Sequence, residues 1–199
     1  MIHYPTTDER NGQHGQSGMT ILQRRPAQTI LRAMPLNEHH ARQLQQWRYG
    51  PTYERYNFSD DPFERQWLCH PKNGYWQFMD EHDALFGFVV IGKHAQTAGI
   101  TYGGNPAIDV LIGLRPDLIG HHHGYDLALR SCQHAHQLYP HCHIRVSVPA
   151  AHRAALHIWQ QLGLFPEYAG LAADSTPHIV LLEQSNLYDD AASSTSTQV

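Results

Sequence analysis

Two stretches of this chain place residues in patterns that suit chemistry. The first is Ile108-Asp-Val-Leu-Ile-Gly-Leu-Arg-Pro-Asp-Leu-Ile-Gly-His-His-His-Gly-Tyr125. An apolar run leads into a glycine-bracketed turn, and a segment of helical spacing follows. A strand, a glycine turn and a helix start aim several backbone N–H groups at one point. The helix dipole adds partial positive charge there, so a pyrophosphate is the ligand such a cradle suits. The amides of Ile119, Gly120, His121, His122, His123 and Gly124 are the candidate donors, with Tyr125 beside them. Gly120 and Gly124 let the backbone approach a phosphate with no side chain in the way. The same pattern also describes a plain strand-to-helix turn, and that reading stays open.

The second stretch is Ile144-Arg-Val-Ser-Val-Pro-Ala-Ala-His-Arg-Ala-Ala-Leu-His-Ile-Trp-Gln-Gln-Leu-Gly163, another strand feeding a helix that stops at glycine. A third is Trp47-Arg-Tyr-Gly-Pro-Thr-Tyr-Glu-Arg-Tyr56. Together these three segments resemble the GNAT acetyltransferase superfamily. The first is similar to its acetyl-coenzyme A loop and the second to its later strand and helix. The third is similar to an aromatic segment near the start of one bacterial subgroup. The resemblance covers roughly Ile30 to Glu183.

The resemblance implies a fold and a set of roles. The loop from Ile119 to Tyr125 would hold the pyrophosphate of acetyl-coenzyme A, the co-substrate. His122 departs from the family, where glycine is usual, so its side chain must point outward or itself meet a phosphate. The pantetheine arm would run along Ile112, Gly113 and Leu114. A bulge near Gly113 would splay this strand from Ile144–Val148, and an amide near Ile112 would steady the thioester oxygen. Gly113 equally fits a site that only relieves crowding in the core. His152 matches a family asparagine that hydrogen-bonds the pantetheine. Transfer to an amine needs the amine neutral, and Asp109, where the family often places an acid, is the candidate general base. An Asp at a strand start is as readily a surface or turn residue. The family's usual acid, a tyrosine, is replaced by Trp159, which would lie along the coenzyme or, as its place on an apolar helix face favours, serve as a core aromatic; an indole N–H cannot donate a proton at useful pH. Water and N–H dipoles, Tyr125 or Tyr168 would then serve the leaving thiolate.

The acceptor side reads from Trp47 to Asn73. Trp47, Tyr49, Tyr53, Tyr56, Phe58 and Trp67 would line an aromatic pocket, and Asp60, Asp61 and Glu64 would hold a cationic amine. The alternative is that the aromatics pack the first helix onto the sheet and the acids are solvated.

Bulk properties bound these readings. A chain of 199 residues, 41% of them hydrophobic, supports one domain with a core of its own. The formal net charge is −4, with no run rich in Lys and Arg, which argues against nucleic acid or an anionic membrane as partner. Three cysteines without a Cys-x-x-Cys pair fit a reducing compartment better than a disulfide framework. The apolar run from Ala84 to Gly92 falls far short of the ~20 residues of a membrane helix. The polar opening shows no secretory signal. A cytoplasmic protein is expected. The 17 histidines include His121-His122-His123, but adjacent loop histidines rarely converge on one ion, and no metal site is expected.

The elements that must position these groups follow from periodicity. Residues 1–26 read as a disordered leader, 27–184 as the acetyltransferase-like domain and 185–199 as a disordered tail. A first strand is expected from about Thr29 to Met34. Asn37 caps a helix whose apolar face is Ala41, Leu44 and Trp47, with Leu36 and Ala41 as a hydrophobic staple. Residues 50–73 form a loop with short helical turns. Strands follow at Tyr75–Met79, Leu85–Ile91 and Ile108–Leu114. A helix starts near His122 to Gly124 and is stopped by Pro140. Then come a strand with Ile144, Val146 and Val148, a helix with Ala155, Ile158, Trp159 and Leu162 capped by Gly163, and strands Phe165–Ala169 and His178–Glu183. The pattern is α/β (α+β), with helices on both faces of a sheet. The resemblance makes that sheet mixed, mostly antiparallel, with a splayed central strand pair.

The expectation is therefore an N-acetyltransferase that moves an acetyl group from acetyl-coenzyme A directly to a primary amine, on a small molecule or a protein N-terminus. No Cys or Ser lies beside a plausible His and acid, which favours direct transfer. The alternative is a non-catalytic acyl-coenzyme A binding module. A homodimer is the family habit.

Overall fold

The computed structural model describes residues 30–51, 53–103 and 106–184. The expected leader and tail, and the Thr29 start of the first strand, lie outside the described residues.

Leu85–Ile91 is buried along its whole length, so it must lie inside a sheet covered on both faces. It is the third of seven strands: β1 Arg32–Pro35, β2 Tyr75–Met79, β3 Leu85–Ile91, β4 Ala107–Leu114, β5 His143–Pro149, β6 Leu164–Leu171 and β7 Pro177–Glu183. Their spatial order is β1-β2-β3-β4-β5-β7-β6, and β4–β5 is parallel while the other neighbours run antiparallel. The helices are α1 Glu38–Gln46, α2 Pro62–Cys69, α3 His123–Leu138 and α4 Arg153–Gln161.

Strand alternation splits the core into two layers. On one face Phe78, Val89, Val110, Ile144 and Leu181 pack with Leu127 and Ala128 of α3 and with Leu156 and Trp159 of α4. On the other, Met79, Phe88 and Val90 pack with Leu36, Ala41 and Leu44 around α1 and with Leu68 of α2. Local chemistry sets the helix ends. The Asn37 side chain accepts from the His40 amide at 2.9 Å, and Gly163, at φ 86°, turns the chain after α4. Within residues 50–73 the structure contains a full helix, α2, where only short turns were expected. Asp61 accepts from the Phe63 amide and Pro62 opens the first turn, a start signal that eight residues suffice to use.

The central feature is a fork. β4 and β5 pair at Ala107↔His143, Ile108↔Ile144 and Asp109↔Arg145, then part. Beyond that point β4 keeps its pairing with β3 as far as Leu114, and β5 keeps its pairing with β7 as far as Pro149. The splay therefore begins at Val110, not at a bulge near Gly113. The β3–β4 register is unbroken through Phe88↔Gly113. Gly113 answers to close packing: a Cβ there would lie 2.1 Å from Phe88 Cε1.

Candidate functional site

The fork leaves one edge of β4 without a strand partner. The Gly92 amide donates to Asp109 O, and the Arg115 amide donates to Phe86 O. Odd-numbered residues of β4 therefore turn their backbone groups toward β3. By alternation Val110, Ile112 and Leu114 turn theirs toward the fork. Leu114 O already accepts from the Tyr49 hydroxyl at 2.9 Å, and burial pushes the Tyr49 pKa up, so that phenol stays a donor. Of the expected trio Ile112, Gly113 and Leu114, the first and last face the fork by backbone. Gly113 faces β3 and lies under the Phe88 ring.

The fork leads to the glycine turn. Leu114 is followed by a 3-10 turn at Pro116–Leu118, then by Gly120 at φ 87° and His122 at φ 65°. No atom lies within 4 Å of where a Gly120 Cβ would be, so this side of the turn is open. His122 occupies the position before α3 in the left-handed region, with its side chain exposed. The first-turn amides of α3 have no acceptor within the helix. Ile119 is 41% exposed, and the His121 amide donates to Leu118 O at 3.4 Å. The His123 ring packs edge-on against Phe86 at 5.4 Å, and Tyr125 packs against the core. Gly124 serves another end: a Cβ there would meet Ile158 Cδ1 of α4 at 3.0 Å, so its smallness lets two helices approach.

At the apex of the fork stands a buried ion pair. Arg145 donates to both Asp109 oxygens, Nε to Oδ1 at 2.7 Å and Nη2 to Oδ2 at 2.9 Å, and Gln96 Nε2 donates to Oδ2 at 2.7 Å. Both residues are about 5% exposed, at 6% for Asp109 and 5% for Arg145. The carboxylate raises the Arg145 pKa above its ordinary value, and the guanidinium lies 4.7 Å from the centre of the Tyr102 ring.

A strap from the α1–α2 connection crosses from one arm of the fork to the other. Tyr49 binds Leu114 of β4. The Tyr53 ring meets the His152 ring at 4.8 Å, beside α4. Arg55 donates to Thr176 Oγ1 at 2.8 Å and reaches Asp174 at 3.4 Å, both in the β6–β7 turn. Of the rest of the expected acceptor pocket, Tyr56 is 41% exposed and the other residues make contacts within the fold. Trp47, Tyr49 and Phe58 pack around Phe88. Asp60 pairs with Arg48, Asp61 caps α2, and Glu64 accepts from the Ser59 amide and hydroxyl. Trp67 leans on Tyr75 and His94.

No protein-family model and no curated protein matches the chain. Solved structures do. A spermidine N-acetyltransferase from Vibrio cholerae, in complex with CoA and spermine, superposes with a TM-score of 0.60 at 16% identity, over 81% of this chain and 99% of that one. A GNAT family acetyltransferase from Bacillus anthracis gives 0.60 at 11% identity, over 78% and 96%. A putative acetyltransferase from Acinetobacter baylyi gives 0.54 at 14% identity, over 77% and 92%. The chain has the GNAT acetyltransferase fold.

Within the GNAT fold several expected residues take different places. Asp109 reaches the fork apex, where Oδ1 accepts from Arg145 and Oδ2 from Arg145 and Gln96, so it ties the two strands together. Trp159, read either along the coenzyme or as a core aromatic, is 3% exposed inside the core, because the apolar face of α4 turns Leu156 and Trp159 onto the sheet. The Tyr168 hydroxyl is engaged by Thr101 O at 2.6 Å. His152 stands at the start of α4, and burial lowers its pKa, so it presents a neutral ring there. No group of three or more His, Cys, Asp or Glu suited to a metal ion occurs among the described residues. No helix among them is long and apolar enough to cross a membrane.

Sequence reasoning missed Arg145, Gln96 and the strap contacts of Tyr49, Tyr53 and Arg55. For the clamp a signal existed. Ile-Asp-Val opens one strand and Ile-Arg-Val the other, so a lone acid and a lone base occupy the same place in two otherwise apolar runs.

Proposed function

We propose that this chain is an N-acetyltransferase that takes the acetyl group of acetyl-coenzyme A and passes it directly to a primary amine. One observation carries the reading: the β4 edge at Val110 and Ile112, without a strand partner, leads through the left-handed turn at Gly120–His122 to the N-terminal end of α3. A pantetheine amide chain needs a strand edge to bond, and a pyrophosphate needs converging N–H groups. This fold supplies both in line. The GNAT structures that superpose on it, one of them with CoA bound, support the same assignment.

When bound, the coenzyme supplies an activated thioester. The protein's own groups hold and orient it. The Gly120–Gly124 backbone receives the phosphates, Val110 and Ile112 offer amides to the arm and the acyl oxygen, and His152 lies at the mouth beside Tyr53. The Asp109–Arg145 clamp fixes where the strands part. With Asp109 engaged, the amine's surplus proton passes to water. A neutral amine is therefore needed from solution, and turnover should rise with pH toward the acceptor's own pKa.

Thermal shift and calorimetry with acetyl-coenzyme A test the first half of this reading. Saturable stabilisation is expected, and no binding at millimolar donor overturns it. Release of free thiol in the presence of a panel of primary amines tests the second half. A second reading, a non-catalytic acyl-coenzyme A binding module, draws on the locked Asp109 and the buried Trp159. Tight binding with no thiol release across the panel would decide for it.

A further inference from the structure

The chain holds two lysines, Lys72 and Lys93, and both belong to the rim of one exposed aromatic groove. The groove lies along α2, holds about 440 Å³ and is lined by Phe63, Trp67, His70 and Lys72 among others. Phe63 and Trp67 lie one turn apart on a single helix face. Phe63 is 78% exposed and Trp67 42%, while Leu68 turns inward to the core. From another segment the exposed His94 ring meets Trp67 at 4.8 Å, and Lys93 immediately precedes it. Two short 3-10 turns carry the lysines, Pro71–Asn73 and Lys93–Ala95. The Ile91 amide donates to Gly74 O at 2.9 Å, and a Cβ at Gly74 would lie 2.1 Å from Ile91 O. That close approach brings the two turns side by side.

Both lysines are exposed, and among the described residues neither has an ion-pair partner. The carboxylates of α1 and α2 are already taken. Glu38 pairs with Arg42 and Arg65, Asp61 accepts from the Phe63 amide, and Glu64 accepts from the Ser59 amide and hydroxyl. The rim is therefore positive on a chain whose formal net charge is −4. Such a rim attracts acidic groups. Neighbouring exposed aromatics are the anchors that protein-docking surfaces use. Two other occupants fit less well. A second copy seated groove to groove would set lysines against lysines, because a two-fold contact repeats each patch. A nucleic acid needs a row of cations to replace its counterions, and two lysines on an acidic chain do not make one.

We infer that the α2 groove docks a peptide segment of a partner protein in which bulky apolar side chains are flanked by carboxylates. The apolar side chains lie against Phe63 and Trp67, and the carboxylates meet Lys72 and Lys93. Ile91, just before Lys93, pairs with Val110 near the start of β4, whereas the glycine turn follows the far end of β4 at Leu114. The groove and the glycine turn are thus at opposite ends of these strands, and a docked segment leaves the turn clear.

The test is fluorescence anisotropy of labelled hexapeptides with the full chain. The probe is Asp-Asp-Tyr-Leu-Asp-Asp, and its controls are Asn-Asn-Tyr-Leu-Asn-Asn and Asp-Asp-Ala-Ala-Asp-Asp. Wild type should bind the probe about fivefold more tightly than the amide control, the worth of two exposed ion pairs. That advantage should fade in about 0.5 M salt. Wild type should also prefer the probe to the alanine control, and Phe63→Ala should weaken the probe by about fivefold with no change in melting temperature. Lys72→Glu together with Lys93→Glu should invert the preference toward Lys-Lys-Tyr-Leu-Lys-Lys, which a merely structural role for the lysines would not do. No probe binding at about 1 mM protein, equal binding of probe and amide control, or an uninverted preference in the double variant overturns the inference. So does tighter binding of a single-stranded thymidine oligonucleotide than of the probe. Self-association in sedimentation that Phe63→Ala abolishes would give the groove to a second copy and overturn it too.

Discussion

At φ 65° and ψ 6°, His122 holds a backbone conformation that side chains rarely adopt, and it does so at the start of α3. The turn into the helix dictates this, since Gly120 and His122 both need positive φ to bring the chain round. Replacing His122 by glycine relieves the strain but adds freedom to the unfolded chain. The net expectation is a gain of about 0.5–1 kcal/mol, read as a melting temperature higher by about 1–4 °C. Gly113 is the opposite case. Its neighbour Phe88 is wedged among Trp47, Phe58 and Tyr75 and cannot swing aside. Gly113→Ala should therefore cost about 1–3 kcal/mol by overpacking, measured by urea unfolding.

Among the elements, β4 and β5 are joined at the apex of their fork by one charge pair. Removing the acid alone, as in Asp109→Ala, leaves Arg145 a buried cation with Tyr102 and Gly103 O as remaining company. Such a break should cost about 3–5 kcal/mol. Replacing both partners together, Asp109→Leu with Arg145→Met, should restore stability to within about 1 kcal/mol of wild type, because the desolvation cost disappears with the attraction. A double variant as unstable as the single one would show that the pair has no mutual dependence. The strap is held more lightly. Tyr49→Phe loses the hydrogen bond to Leu114 O, worth about 0.5–1.5 kcal/mol, and the same unfolding curves would show it.

Over the whole molecule, acid sensitivity follows from two half-buried imidazoles. Burial lowers the pKa of both His134 and His152. In the unfolded chain each titrates near 6.5, so on acidification the unfolded state takes up protons first. Stability is at full strength above about pH 6.5 and falls as pH drops through the folded-state values. Melting temperatures measured from about pH 7.5 down to about 5.5 should be level and then decline, and His134→Gln should flatten the decline. An unchanged slope in that variant would remove His134 from the account.

What the sequence by itself determined is what near neighbours encode. Short apolar and aromatic runs drew β2 and β3 at Tyr75–Met79 and Leu85–Ile91, and cap chemistry placed Asn37 and Gly163. The glycine turn after β4 was legible for the same reason, since its demand for positive φ is local. α2 was less so, because its exposed Phe63 and Trp67 blur the apolar stripe that marks a helix. Only the tertiary structure decided which charges meet. Asp109 and Arg145 are 36 residues apart in the chain, and their pairing exists only because two parallel strands share one register. The same holds for Trp159, turned into the core by the face α4 shows the sheet. A side chain's chemistry can be read from its type. Whether its lone pairs are free for a substrate depends on contacts that distant segments bring, and those contacts form only when the chain folds.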